Sequence, residues 1–168
     1  FTILDFGCGP GRDLRTLAAL GHTAIGLDGA ARFAAMARAF SGCEVWQQDF
    51  LRLDLPAGRF DGVFANASLF HVPSRELPRV LRELHAALRP GGVLFSSNPH
   101  GHDEEGWNRG RYGVYHDPAT WRGYGIAAGG TIIRVAFVDV ARGSIRSERV
   151  GRLSGGFLNQ ILPYFDQY

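Results

Sequence analysis

Short apolar runs and amphipathic helical segments alternate along most of this chain, and this alternation limits the folds that it can adopt more than any other feature. Apolar runs predict strands at residues 1–6, 22–28, 43–49, 60–67 and 93–98, with helical segments between several of them. Strands joined through helices pair in parallel by right-handed crossovers. Because such a sheet needs cover on both faces, we predict an α/β fold: a doubly wound, mostly parallel sheet between two layers of helices.

The segment after the second predicted strand has an apolar stripe. Phe33, Met36, Ala37 and Phe40 recur at positions i, i+3, i+4 and i+7. This spacing predicts a helix that packs the stripe against the sheet. We therefore assign Phe33 and Met36 to the core rather than to a ligand site.

The last third of the chain departs from the alternation. Residues 99–130 are rich in glycine, histidine and aromatic residues, and they predict a long loop with one short helix near 117–128. Residues 131–140 form a further apolar run and predict a sixth strand. Residues 142–156 have no apolar stripe, and residues 157–168 predict a short helix interrupted by Pro163, so we expect a single domain over 1–141 followed by an irregular tail at 142–168.

A glycine-rich turn follows the first predicted strand, with Gly7, Gly9 and Gly11 at alternate positions. Bare backbone between a strand and a helix lets a ligand approach closely, at the positive end of the helix dipole. The dinucleotide pattern G-x-G-x-x-G would need a third glycine at position 12, where the chain has Arg12. The spacing thus argues against a nicotinamide-dependent oxidoreductase, which we keep as an alternative function.

Asp5 and the three glycines together resemble the first motif of the class I S-adenosylmethionine-dependent methyltransferases, an acidic residue followed by G-x-G-x-G. The resemblance extends over about residues 1–130. It implies a Rossmann-like sheet of order 3-2-1-4-5 and S-adenosylmethionine as the cofactor. In that family an acidic residue after strand two holds the ribose and one after strand three recognises the adenine. Asp28 and Asp49 occupy those positions, and Phe50 lies beside Asp49.

The chemistry of carboxylates is compatible with these roles. A carboxylate accepts two hydrogen bonds from a diol or one from an amine, and such charge-assisted bonds are strong. Taken singly, Asp28 or Asp49 is equally explained as a turn or capping residue. Open parallel sheets, however, bind ligands beyond the carboxyl ends of their strands. We predict a cofactor site made of residues at those ends: Asp5, Gly7, Gly9, Gly11, Asp28, Asp49, Phe50 and Asn66.

The same resemblance places the methyl acceptor over strands four and five, with residues 65–73 and 98–116 as its walls. His71 is the candidate general base, because imidazole titrates near neutral pH and His71 lies nearest to strand four. A loop-capping role for His71 is equally open, and the other candidate bases are His100, His102 and His116.

The aromatic residues of segment 99–130 predict either a lid that packs on the domain or an apolar acceptor pocket. Arg109 and Arg111 are suited to an acidic acceptor. The histidine and acidic residues at 100–105 lack the spacing typical of metal ligands, so we predict no metal site. The acceptor itself is not defined by the sequence.

Composition argues against other classes of function. The 18 basic and 16 acidic residues are interspersed and give a formal net charge of +2, which does not indicate a nucleic-acid surface. No apolar run reaches the length of a membrane span. Cys8 and Cys43 lie in separate elements, which favours reduced thiols and a cytoplasmic location.

Our leading hypothesis is a methyltransferase that transfers a methyl group from S-adenosylmethionine to an O, N or C atom of a small molecule. Members of the resembled family normally begin with one or two helices before strand one. This chain starts within strand one, so we expect an N-terminally truncated chain. A non-catalytic cofactor-binding domain is therefore the third hypothesis.

Overall fold

The computed structural model describes residues 1–108 and 110–127 together with the backbone of residues 134–139 and 144–149. The strands within these ranges are β1 (Thr2–Phe6), β2 (Thr23–Asp28), β3 (Glu44–Gln47), β4 (Phe60–Asn66), β5 (Leu88–Pro99), β6 (Glu104–Asn108), β7 (Arg111–Tyr115), β8 (Arg134–Asp139) and β9 (Ser144–Arg149). The helices are α1 (Arg12–Ala19), α2 (Ala31–Ser41), α3 (Leu77–Ala87) and α4 (Pro118–Ala127), and a 3-10 turn spans Leu69–His71.

The main sheet has the strand order β3-β2-β1-β4-β5-β8-β9. All neighbouring strands pair in parallel except β8 and β9, which are antiparallel. The predicted α/β class and the predicted 3-2-1-4-5 order are therefore confirmed. Strands β2 and β3 are added on one side of β1, and β4 and β5 on the other, so the strand order reverses between β1 and β4. At such a switch point a crevice opens beyond the carboxyl ends of the strands.

Strand β1 is buried on both faces, which fixes the position of the turn that follows it. Leu4 and Phe6 pack in the hydrophobic cluster that contains α3, whereas Ile3 packs with Leu14 and Leu17 of α1 on the opposite face. All five side chains are almost completely excluded from solvent. Alternate side chains of a strand point to opposite faces, so one strand anchors both helical layers and presents the glycine turn at its end.

Helix α2 forms where the sequence predicts it, and Ala37 of the predicted stripe is buried. The assignment of Phe33 and Met36 to the core is wrong, and Phe33 lines the cavity described below. Phe33, Met36 and Phe40 are 40%, 43% and 49% exposed, whereas Ala34 and Ala37 are completely buried. A side chain at Gly11 would come within 2.9 Å of the Ala37 Cα atom. Because the backbones approach so closely, only small side chains fit on the buried face of α2, and the larger apolar residues turn outward.

The described residues of segment 99–130, which are 99–108 and 110–127, contain more regular secondary structure than the predicted loop. The short helix is confirmed as α4, but β6 and β7 also pair as an antiparallel hairpin with Asn108 opposite Arg111. The weak signal for this hairpin was the alternation of polar and aromatic residues on either side of Gly110, whose φ of 78° suits a tight turn.

The structure also corrects the prediction for the C-terminal part. The sixth predicted strand is confirmed as β8, but the tail is not irregular throughout, since Ser144–Arg149 form β9. The pattern missed β9 because an antiparallel edge strand needs no apolar stripe. Residues 150–168 lie outside the described residues. Among the helices that are described, none combines the length and apolar character that a membrane crossing requires.

Candidate active site

A cavity of about 1100 Å³ opens at the carboxyl ends of β1 to β4. One side is formed by the turns after β1, β2 and β3, which we call the donor side and which includes Gly7, Gly9, Asp28, Asp49 and Phe50. The other side is formed by residues 67–75 after β4 and by the hairpin β6–β7, and we call it the acceptor side. The fold thus brings together residues that are far apart in the sequence.

Different structural constraints account for glycine at each of the three positions of the turn. A side chain at Gly7 would place its Cβ 2.4 Å from the Cβ of Ser68, and one at Gly11 would meet α2. A side chain at Gly9 would meet none of the described atoms within 4 Å, and Gly9 lines the cavity. All three have φ between 52° and 90°. Gly11 does not line the cavity, so its identity follows from helix packing, and Gly9 is the position with open space for a ligand.

Asp28 holds the glycine turn against β2. One carboxylate oxygen accepts the backbone N–H of Gly9 at 2.9 Å, and the other accepts that of Ala30 at 2.8 Å. Each oxygen of a carboxylate can accept a second hydrogen bond. Asp28 is 8% exposed and lines the cavity, so it remains able to accept two hydroxyl donors from a ligand.

Asp49 and Phe50 follow β3 and line the same side. Asp49 Oδ1 accepts the backbone N–H of Leu51 at 2.9 Å in a tight local turn, and in the described part of the chain no partner occupies Oδ2. Phe50 stacks on Phe6 with 4.3 Å between ring centroids. This stacking fixes the ring at the floor of the cavity beside Gly7, where it offers an apolar surface next to a free carboxylate oxygen.

Asp5 lies beneath the glycine turn rather than in the cavity lining. Burial raises the pKa of its carboxyl well above the ordinary value, the charges of Asp13 and Asp28 raise it further, and a hydrogen bond from the Leu14 backbone opposes the shift. Its Oδ2 atom is buried without a hydrogen-bond partner. Burial and the charge of Asp5 also raise the pKa of the Cys8 thiol to about 12, which keeps that thiol protonated and unreactive.

Asn66 also lies outside the cavity lining. Its side-chain amide donates to Asp13 Oδ2 at 3.0 Å, and its carbonyl oxygen accepts from the Ser97 hydroxyl. Asn66 therefore connects the start of α1 with β5. The next residue, Ala67, lines the cavity with a φ of 49°, a conformation that costs energy for a residue with a side chain and is concentrated at functional sites.

His71 ends the 3-10 turn and faces the acceptor side. Its Nδ1 atom lies 2.7 Å from the backbone carbonyl oxygen of Tyr112. Since a carbonyl can only accept, Nδ1 carries a proton, and the neutral ring keeps an unshared electron pair at Nε2. His71 thus has the tautomer that a general base requires, and its catalytic role stays a prediction.

The hairpin contributes four residues to the acceptor side, all of them within the acceptor wall predicted at 98–116 but outside the list of predicted site residues: Glu105, Trp107, Arg111 and Tyr112. Glu105 accepts hydrogen bonds from the Tyr112 hydroxyl and from the backbone N–H of Ser74, the latter at 3.2 Å. These contacts attach the hairpin to the segment before α3. The aromatic residues and Arg111 were signalled by composition, whereas nothing in the sequence indicated the contact between Ser74 and Glu105, because it joins residues 31 positions apart.

Polar residues at 100–105 are engaged in hydrogen bonds, some of them local, for example from the His102 backbone N–H to Glu104 Oε2 at 2.7 Å, and some to distant segments, such as that between Glu105 and Ser74. Within the residues whose side chains are described, no three His, Cys, Asp or Glu side chains are grouped closely enough to hold a metal ion.

A mostly parallel open sheet with a glycine turn and two carboxylates at its switch point is typical of proteins that bind nucleotide-type ligands. The family model for the methyltransferase domain matches residues 3–92, and the chain belongs to this family. The alternative of a nicotinamide-dependent oxidoreductase, which Arg12 at the third glycine position argued against, is thus disfavoured by the family match.

Among the curated relatives is the trans-aconitate 2-methyltransferase of Azoarcus sp., which is 37% identical over 107 residues, covering 61% of this chain and 41% of that enzyme. The chain therefore matches less than half the length of this relative.

Solved structures show the same architecture. An S-adenosylmethionine-dependent methyltransferase from Mesorhizobium loti is 26% identical, with a TM-score of 0.56 over 96% of this chain and 72% of its own. A SAM-dependent methyltransferase from Archaeoglobus fulgidus is 19% identical and shares the fold, with a TM-score of 0.66 over 76% of this chain and 60% of its own.

Proposed function

We propose that the chain is the cofactor-binding and catalytic part of an S-adenosylmethionine-dependent methyltransferase that acts on a small molecule. The observation that carries this proposal is the cavity, which has the donor side and the acceptor side facing a single space of about 1100 Å³. Methyl transfer is an in-line displacement, and much of its catalysis comes from holding the two reactants in near-attack geometry. A shared cavity meets that requirement.

The residues of the donor side fit the cofactor. The open space at Gly9 accommodates a ligand close to the backbone, and the remaining electron pairs of Asp28 suit a ribose diol. The free Oδ2 atom of Asp49 suits an exocyclic amine, and Phe50 offers a flat apolar surface. S-adenosylmethionine supplies, when bound, an electrophilic methyl group on a positively charged sulfur. Carboxylates around the cavity favour such a cation and disfavour the diphosphate of a dinucleotide.

The acceptor side is suited to a small polar molecule. His71 presents Nε2 as a hydrogen-bond acceptor, and we infer that it contacts the acceptor. The Arg111 guanidinium is exposed on the cavity wall and has no ion-pair partner among the described residues. Because a guanidinium binds carboxylates well, and because the Azoarcus relative is named for trans-aconitate, small organic acids are the first acceptors to test.

The test is methyl transfer from S-adenosylmethionine that carries an isotope-labelled methyl group. The acceptor panel contains trans-aconitate and other organic acids, hydroxybenzoates and small amines. We expect label in at least one acceptor. Asp28→Ala should weaken donor binding by about tenfold or more, because it removes two charge-assisted hydrogen bonds. The matched control is Asp54→Ala, which removes an exposed carboxylate outside the cavity lining. Donor binding that survives Asp28→Ala unchanged would count decisively against this function.

A further inference from the structure

Glu105 places a negative charge on the acceptor side of the cavity, and the proposed function assigns it no role. Its Oε1 atom accepts the Tyr112 hydroxyl and the backbone N–H of Ser74, the latter at 3.2 Å. Hydrogen bonds from Ser74 and from the Tyr112 hydroxyl hold the pKa of Glu105 below its usual range, so the carboxylate is ionised at neutral pH. A carboxylate has about four acceptor sites, and Glu105 therefore keeps sites for a cationic ligand.

Two aromatic side chains lie on the same face of the hairpin as Glu105. Trp107 is two residues further along β6, and Tyr112 is its direct partner on β7. Their ring centroids are 5.7 Å apart, in edge contact, and Trp107 is 77% exposed. Aromatic faces attract ammonium groups. This face thus combines a carboxylate with an aromatic surface, and that chemistry binds a protonated amine.

Arg75 places a positive charge close to the same face. The bond to Glu105, burial and the Glu105 charge raise the pKa of the Tyr112 hydroxyl, and the charge of Arg75 opposes that rise. Arg75 also lines the cavity. It lies 3.8 Å from Glu76, but its side chain is 85% exposed, and such an ion pair is weak. The Arg75 guanidinium is therefore available to an anion.

The charges of Glu105 and Arg75 remain separate. Within the described part of the chain no arginine forms an ion pair with Glu105, because Tyr112 and Ser74 hold its carboxylate in place. A ligand that carries only a carboxylate would be attracted by Arg75 and repelled by Glu105. The converse holds for a simple amine. A ligand that carries both an ammonium and a carboxylate satisfies both side chains.

We propose that the acceptor of the methyl group is an amino acid, bound as a zwitterion with its ammonium at Glu105 and its carboxylate at Arg75. The exposed ring of Trp107 contacts the ammonium, and Arg111 on the same side adds positive charge near the carboxylate. An ammonium nitrogen has no unshared electron pair, so these contacts anchor the ligand and the bound ammonium is not the methylated group. This inference rests on the proposed function and narrows its organic acids to those that also carry an ammonium.

The test compares three probes that share one phenylethyl skeleton: L-phenylalanine, 2-phenylethylamine and 3-phenylpropionate. The full chain is saturated with S-adenosylhomocysteine and titrated with each probe by calorimetry at pH 7 and low ionic strength, because salt screens exposed charges. We expect L-phenylalanine to bind about tenfold more tightly than either analogue, since each analogue loses one ionic contact and meets one like charge.

Two variants assign the charges to their partners. Glu105→Gln keeps an oxygen for Tyr112 and Ser74 but removes the charge. It should weaken the two probes that carry an ammonium by about fivefold and should not weaken 3-phenylpropionate. Arg75→Gln should weaken the two probes that carry a carboxylate by a similar factor and should not weaken 2-phenylethylamine. The matched control is Glu104→Gln, which changes an exposed carboxylate of β6 outside the cavity lining and should leave all three affinities unchanged.

The zwitterion site is wrong if L-phenylalanine does not bind or if the three probes bind with equal affinity. It is also wrong if Glu105→Gln weakens all three probes alike, as a purely structural role of Glu105 in the hairpin would predict. Failure of S-adenosylhomocysteine to bind, with an intact preference for L-phenylalanine, would instead overturn the proposed function and leave the zwitterion site standing.

Discussion

The donor side and the acceptor side of the cavity are constructed in different ways. Each donor-side residue lies at or just after the end of the strand that precedes it, and the hydrogen bond from the Gly9 N–H to Asp28 connects the turns after two adjacent parallel strands. The acceptor side is closed by a hairpin whose bonds to residues 71–74 span 31 and 41 positions. A rigid sheet thus positions the donor side, whereas a few side-chain contacts position the acceptor side. The former can be tested by altering packing and the latter by removing single contacts.

The largest expected effect is at Gly7, where the two sides touch. Gly7→Ala should lower the free energy of unfolding by about 3 kcal/mol, because its Cβ would clash with Ser68 and its φ disfavours a side chain. Gly9→Ala, with a positive φ but open space, should cost about 1 kcal/mol. Urea denaturation measures the free energy of unfolding of both variants. Equal decreases would show that a side chain at position 7 does not clash with Ser68.

Gly9→Val distinguishes a role of Gly9 in ligand binding from a role in the stability of the fold. The valine side chain would enter the cavity, so we expect the affinity for S-adenosylhomocysteine to fall by about tenfold or more, beyond the modest loss of stability that its φ predicts. Calorimetric titration below the melting transition measures the affinity. Unchanged affinity in a destabilised protein would assign Gly9 to the turn alone.

Asp5 tests the electrostatics beneath the donor side. Burial raises its pKa in the folded chain, so the protonated form is favoured by folding. Its stabilising contribution is complete below the ordinary pKa of Asp, 3.8, and is lost as the pH rises through the folded value. Asp5→Asn should therefore stabilise the chain by about 1 kcal/mol at neutral pH, with the gain fading in acid. A pH-independent difference in unfolding free energy would contradict this assignment.

The smallest expected effect concerns the acceptor side. Tyr112→Phe removes the hydroxyl bonded to Glu105 but keeps the backbone carbonyl that His71 contacts. Amide hydrogen exchange in β6 and β7 should quicken by about fivefold, as expected for one hydrogen bond, while β1 to β3 stay unchanged. Tyr115→Phe on the same strand is the matched control. Faster exchange throughout the sheet would mean that the two sides are not independent.

The contrast between the donor side and the acceptor side also explains which features of the structure could be predicted from the sequence. The strand order was predictable through the family resemblance, and the positions of Asp28 and Asp49 were predictable because each depends on a local pattern at a strand end. The buried face of α2 was predicted only at Ala37, because the close approach of Gly11 to Ala37 leaves room for small side chains and a hydrophobic pattern favours larger ones. The contact between Ser74 and Glu105 was missed because it joins distant segments. Local periodicity carries no information about such a contact.

The central claim, that the donor side binds S-adenosylmethionine, is tested most directly by calorimetric titration of this chain with S-adenosylhomocysteine, with NAD in a parallel titration. We predict saturable binding of S-adenosylhomocysteine that Asp28→Ala weakens, and no binding of NAD. Binding of NAD, or binding of S-adenosylhomocysteine that is indifferent to Asp28, would contradict the assignment of the glycine turn and its carboxylates to this cofactor.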